Sequence, residues 1–127
     1  MADAVNHPAH YAPIFESLPI ECIDIAIHLD FCRGNAFKYV WRAGLKGELE
    51  KAIEDLEKAK FYIKCVLEMG NITTALAVFA TIRMPEEKSS IARIRYNVLR
   101  EILTTDKFSA IDAINTLENA FRKELSK

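Results

Sequence analysis

Four cations, Arg33, Lys38, Arg42 and Lys46, fall in one short stretch with no carboxylate among them, and Phe37, Tyr39 and Trp41 are interleaved with them. Lys38 and Arg42 are four apart, so on a helix they share a side and repel by a few tenths of a kcal/mol. Gly34-Asn35 reads as a helix start. With Asn35 as the N-cap, Lys38 enters the first turn, where the helix dipole disfavours a cation by a similar amount. Each cost is small, but all have the same sign, and a bound anion removes all of them. A helix N-terminus with free N–H groups beneath a Lys and an Arg suits a phosphate, and Tyr39 could stack on a base or close the site. The competing reading pairs Lys38 and Arg42 with acids of the next helix, which supplies Glu50, Glu54, Asp55 and Glu57.

A second group of chemistry-bearing residues lies near the N-terminus, where His7-Pro8-Ala9-His10-Tyr11 sets two imidazoles and a phenol in a proline-stiffened segment. Such an arm can fold over a ligand, its imidazoles on phosphate oxygens and its phenol on a ring. The alternative is a disordered tail. His-x-x-His could also hold a metal with Glu21, Asp24 or His28, but no further Cys or His pair completes a tetrahedral zinc set. The acids Glu21-x-x-Asp24 and Glu54-Asp55-x-Glu57 resemble the paired acidic helices with which all-helical nucleotide pyrophosphatases hold magnesium. Their order and spacing fit that pattern poorly. No GxxxxGK[ST], GxGxxG, HExxH or GxSxG motif is present, which excludes an ordinary P-loop phosphotransferase.

The elements that must position these groups are helical. Three of the four prolines fall before residue 20, so residues 1–19 read as an extended arm. A first helix is expected from Ile20 to Leu29, with Ile20, Ile23, Ile27 and Cys22 inward. The second runs from Asn35 to Gly44 with Phe37, Val40 and Trp41 inward. The third, Glu48 to Met69, has Ala52, Leu56, Ala59, Ile63 and Val66 at helical spacing. Gly70 then reads as its αL terminator and Asn71 as the next N-cap. The fourth, Ile72 to Ile82, is apolar nearly all round and should be central or interfacial, with a strand as the competing assignment. Pro85-Glu86-Glu87 opens a fifth helix to Leu103, with Ile91, Ile94, Val98 and Ile102 inward. A sixth, Lys107 to Leu125, should bury Phe108, Ile111, Ile114, Leu117 and Phe121. The sum is an all-α bundle of about five to six helices in one domain, with residues 1–19 as arm, 20–69 as the half that carries the chemistry, and 70–127 as a second helical half.

Composition bounds the rest. The 127 residues are 50% hydrophobic and 28% charged with net charge −1, an ordinary globular balance that argues against a nucleic-acid-coating protein. Cys22, Cys32 and Cys65 form no CxxC pair and read as reduced thiols of a cytoplasmic protein. There is no export signal, and the longest apolar run is too short to span a bilayer, so no membrane is expected. The apolar fourth helix suggests a homo-oligomer.

Taken together, V5-N6-H7-P8-A9-H10-Y11, I20-E21-C22-I23-D24, G34-N35-A36-F37-K38-Y39-V40-W41-R42-A43-G44-L45-K46-G47 and D55-L56-E57-K58-A59-K60-F61-Y62 resemble a family of small bacteriophage proteins described as nucleotide-kinase-like or as a domain of unknown function. The resemblance covers about residues 5–65. It implies a nucleotide-binding protein in the cytoplasm of an infected bacterium that phosphorylates nucleoside monophosphates without a P-loop. It marks His7, His10, Tyr11, Gly34, Asn35, Lys38, Tyr39, Arg42, Gly44, Lys46, Asp55 and Lys58. Chemistry then suggests roles: Lys38, Arg42, Lys46 and Lys58 clamping phosphates, His10 or Asp55 assisting catalysis, and Asp55 or Glu21 holding Mg²⁺. The alternative is a sponge that sequesters nucleotide-derived host defence signals, such as cyclic nucleotides, unchanged. A third possibility is a module contacting a host protein. In the second half, Arg93, Arg95 and Arg100 are either surface groups or face a ligand between subunits.

Overall fold

A computed structural model describes residues 8–15, 19–66, 72–87, 90–104 and 106–127, and is all-α, with no strand among these residues. A 3-10 turn at Ala9–Tyr11 precedes α1 (Cys22–Ala26), α2 (Phe31–Arg42), α3 (Leu49–Lys64), α4 (Ile72–Phe79), α5 (Ile91–Thr104) and α6 (Lys107–Leu125). The expected roles of His7, Gly70 and Asn71 lie outside the described residues.

The centre of the bundle is α2, packed on α3 and α5, with α6 closing against α3 and α5. Phe37, Val40 and Trp41 of α2, Leu56 and Ile63 of α3, Leu99, Ile102 and Leu103 of α5, and Ile114 and Leu117 of α6 form one buried cluster. Their 3.6-residue spacing is why these segments are helices whose stability comes from a shared apolar face. Arginine–carbonyl contacts join the two halves of the chain. The Arg95 guanidinium on α5 donates to the Val40 and Trp41 carbonyls at 2.7 and 3.0 Å, satisfying carbonyls that the last turn of α2 leaves open. In the other direction Arg33 Nη1 donates to the Ile102 carbonyl near the end of α5. Arg95 is therefore an internal strut and does not face a ligand, and burial pushes its pKa down to about 10. Arg93 is also occupied, donating to the Pro85 carbonyl at 3.0 Å. Arg100 is exposed.

Several expected boundaries shift, each for a local reason. α2 begins at Phe31, four residues before Asn35, because Asp30 is the N-cap and accepts from the Arg33 amide at 2.8 Å. Asn35 lies inside the helix and donates to the Phe31 carbonyl at 2.8 Å. α5 begins at Ile91, after Ser90, whose hydroxyl accepts from the Arg93 amide at 3.0 Å, and Pro85-Glu86-Glu87 stay outside the helix. In α1 the buried positions are Cys22 and Ile25, while Ile23 and Ile27 are exposed on the other side. α4 buries Ala75 and Phe79 against its neighbours, but Thr73, Thr74 and Ala77 face outward, so it is neither central nor buried all round. Phe108 in the first turn of α6 is 82% exposed, not buried.

The described part of the arm is folded onto the bundle. Trp41 Nε1 donates to the Ala12 carbonyl at 3.1 Å, and the Phe15 ring meets Trp41 and Tyr96 edge-on. At the other end of α2, Gly44 adopts φ +84°, a left-handed conformation that lets the chain leave the helix beneath Phe121.

Candidate functional site

Two adjoining surfaces carry the chemistry-bearing residues. The first is an open, mostly apolar groove of about 420 Å³ between α1 and the first half of α2. Ile23, Ala26, Ile27, Leu29 and Phe31 supply its apolar lining, Cys22 its buried side, and Glu21, Asp30, Asn35, Lys38 and Tyr11 its polar atoms. Burial pushes the Cys22 thiol up to about 12, so it behaves as a small apolar group there. Glu21 and Asp24 are committed to the start of α1, forming a reciprocal capping box in which the Glu21 amide donates to Asp24 at 2.8 Å.

The second surface is centred on Tyr39, on the turn of α2 that follows the groove. Lys38 Nζ and the Arg42 guanidinium each lie 4.7 Å from the Tyr39 ring centroid, and Lys58 Nζ lies at 5.5 Å. On its α3 side Tyr39 stacks on Tyr62 with centroids 6.0 Å apart and planes 12° from parallel. Beneath the ring, Arg42 Nη2 donates to Asp55 at 2.9 Å and Nη1 to the Tyr11 hydroxyl at 3.2 Å. Asp55 is fully buried and Arg42 nearly so. Desolvation pulls the Arg42 pKa down, but the hydrogen bond and charge of Asp55 outweigh it and leave it above the usual value. Asp55 Oδ2 and Arg42 Nε have no hydrogen-bond partner among the described residues.

The arm covers this cluster. His10 packs on Tyr11 with ring centroids 4.2 Å apart. Partial burial, then the charges of Lys46 and Arg42, lower its pKa against a smaller opposing effect from Asp55. Burial and the two cations both favour the neutral imidazole. Lys58 pairs with Glu54 at 3.2 Å, which raises its pKa, and Lys51 reaches Glu54 at 3.1 Å and Asp55 at 3.9 Å. Lys38 and Lys46 have no ion pair among the described residues.

Of the site residues expected from sequence, His10, Tyr11, Lys38, Tyr39, Arg42, Lys46, Asp55 and Lys58 are brought to one region. Asn35 lines the groove together with Tyr11 and Lys38, and Glu21 and Asp24 belong to the start of α1. The helix-N-terminus argument for an anion is overturned, since Asp30 already occupies that end and Lys38 sits two turns into α2. For Arg42 the competing reading holds: its partner is Asp55 of the third helix. No group of three or more His, Cys, Asp or Glu side chains suited to a metal forms among the described residues. Sequence reasoning missed the groove and with it Phe31, Ile23 and Ile27. The four-residue spacing of Ile23, Ile27 and Phe31 is the available signal; Ile23 and Ile27 read from sequence as inward core positions, and Phe31 has no role there.

Comparison with known proteins places this region in context. Residues 5–64 match a family described as protein of unknown function, DUF3310. That match covers just under half of the chain and ends with α3. The Gene 1.7 protein of Enterobacteria phage T3 is 40% identical over 62 residues, which are 46% of this chain and 38% of that protein. The chain thus spans well under half the length of this curated relative. No solved structure matches. Every residue of the groove and of the Tyr39 cluster lies inside the stretch that matches the family. Among the described residues no helix is long and apolar enough to cross a membrane.

Proposed function

We propose that this protein binds a nucleotide, with phosphate held by Lys38, Lys46, Lys58 and His10 around Tyr39, and with Tyr11 and the arm packed across the site. Lys38 carries the reading. It stands on the rim of the groove and over the Tyr39 ring, with no ion-pair partner among the described residues. A phosphate there would gain a charge-assisted hydrogen bond and relieve the crowding of Lys38, Arg42 and Lys58 about one ring. Arg42 acts one step back. With both Nη atoms on Asp55 and Tyr11 it positions Tyr11 and Tyr39.

In the first reading the protein transfers a phosphoryl group to a nucleoside monophosphate, the activity implied by the resemblance of its motifs. That chemistry asks mainly for positioning and charge, and His10, whose neutral form is favoured by its surroundings, would take the acceptor's proton. The magnesium such a transfer uses finds no converging carboxylates among the described residues, because Glu21 and Asp24 cap α1 and Asp55 faces Arg42. The burial of Asp55 favours a second reading, in which the protein holds a nucleotide or cyclic nucleotide without turnover, as a homo-oligomer or alone.

One assay separates the two readings. The protein is incubated with Mg²⁺, ATP, nucleoside monophosphates and a panel of cyclic nucleotides, then passed through a size filter, and filtrate and heat-released retentate are chromatographed. Diphosphates in catalytic excess establish transfer; one species retained intact and stoichiometric with protein establishes sequestration. Lys38→Ala should weaken retention tenfold or more, since a charged hydrogen bond contributes about 1.5–3 kcal/mol. Retention within twofold of the wild type would sink the phosphate role of Lys38.

A further inference from the structure

Phe31 is the first residue of α2, and 74% of it is exposed, an unusual place for so large an apolar ring. It forms part of the groove lining, and it meets Tyr62 in a T-shaped contact with ring centroids 5.9 Å apart. Tyr62 in turn stacks on Tyr39, so three rings run from the mouth of the groove to the cation cluster. Tyr62 thus braces Phe31 on one side while most of the Phe31 side chain stays open. Lys38 lies seven residues on, two helical turns and about 10 Å along the axis, and so on the same side of α2. A flat aromatic group on Phe31 would have its anionic end at Lys38. Ile23 and Ile27 flank the flat group, and Asp30 and Asn35 supply polar atoms for its edge.

We infer that Phe31 is the stacking seat of a nucleobase, so that the nucleotide lies base-first in the α1–α2 groove with its phosphates toward Lys38. This rests on the nucleotide-binding reading above and adds to it the base, its location and the direction of the ligand. The occupant is a single nucleotide. The cations lie at one end of the ring series, whereas a nucleic-acid strand needs a charged track along its whole length.

The test uses the full chain and measures affinity for the common nucleoside monophosphates and, separately, for inorganic pyrophosphate. Variants are Phe31→Ala, Phe31→Leu and Phe31→Trp, at a surface position where folding is not at risk. Phe31→Ala and Phe31→Leu are expected to lose about tenfold in nucleotide affinity and to leave pyrophosphate affinity unchanged. Phe31→Trp should retain binding and show fluorescence quenching by nucleotide but not by pyrophosphate. Nucleotide affinity that depends on Lys38 but is indifferent to Phe31→Ala would overturn the seat and leave nucleotide binding standing. Full affinity in Phe31→Leu would show apolar contact in place of stacking and overturn it too, as would affinity that climbs with oligonucleotide length. Failure of every nucleotide to bind would remove the nucleotide reading itself, and the seat with it.

Discussion

The Arg42–Asp55 pair makes Arg42 a structural cation, and its removal has a calculable cost. Asp55 is fully buried and takes a 2.9 Å bond from an Arg42 that is itself buried, with the Tyr11 hydroxyl as the other guanidinium partner. Asp55→Ala leaves a buried guanidinium facing one phenol, a change that costs about 3–5 kcal/mol in comparable pairs. For a chain of this length that is a drop of roughly 10–20 °C in Tm. Arg42→Met strands the carboxylate with Lys51 at 3.9 Å as its remaining cation, and should cost a comparable amount. The double variant Arg42→Met/Asp55→Ala removes both charges and should recover much of the loss, because the pair's attraction mainly offsets its own desolvation. Urea melts of all four proteins close the cycle, with the m value checked for constancy. Additive single losses, or an Asp55→Ala cost under about 1 kcal/mol, would refute the buried-pair account. Arg42 would then be free for a phosphate.

Four further outcomes follow from local geometry. Gly44→Ala should cost about 2–4 kcal/mol in the same urea melts, because φ is +84° and the new Cβ would meet two Phe121 ring carbons at 2.7 Å. Gly47→Ala shares the positive φ and meets Lys51 Cβ and Cγ at 3.1 Å, a milder approach than at Gly44, and should cost about 1–2 kcal/mol. His10 has a folded pKa below 6.5, so its contribution to stability is present above 6.5 and declines as pH falls through the folded value. A bound phosphate reverses that preference, so pyrophosphate affinity should rise as pH drops from 8 to 6, and His10→Gln should flatten the rise. Cys22, with a pKa pushed up to about 12 by burial, should resist iodoacetamide at pH 8 while the less buried Cys32 and Cys65 react, as peptide mass mapping would show.

The periodicity that builds the core was plain in the sequence. Phe37, Val40 and Trp41, or Ile114, Leu117 and Phe121, are apolar at helical spacing, and all are buried. What escaped was in part a choice between neighbouring local signals and in part a matter of contacts between separate segments. Asp30 outcompeted Asn35 as the cap because it accepts the Arg33 amide, and Ser90 outcompeted Pro85-Glu86-Glu87; local propensity offered both choices. Ile23 and Ile27 have the spacing of a core stripe, but α1 is five residues long, and Cys22 and Ile25 already cover its inward side. Of the site, the gathering of His10, Tyr11, Tyr39, Arg42 and Asp55 was legible as types and spacing. Whether each cation was free was not, because that turns on partners such as Asp55, thirteen residues from Arg42.

The second half of the chain bears on the site through backbone geometry, since among the described residues it lends no side chain to the groove or to the Tyr39 cluster. Arg95 holds the Val40 and Trp41 carbonyls, and Phe121 packs under Gly44, where α2 turns toward the exposed Lys46. α5 and α6 therefore fix where α2 ends and how the chain leaves it, which sets the direction of Lys46 and the register of Arg42 against Asp55. Arg95→Met should show this. It keeps the bulk of the side chain but leaves two α2 carbonyls without their charged donor, at a cost of about 2–3 kcal/mol, and should weaken pyrophosphate binding although Arg95 cannot touch the ligand. A variant that lost stability but kept full pyrophosphate affinity would mean that α2 holds its end unaided, and that α4–α6 serve a purpose separate from the site.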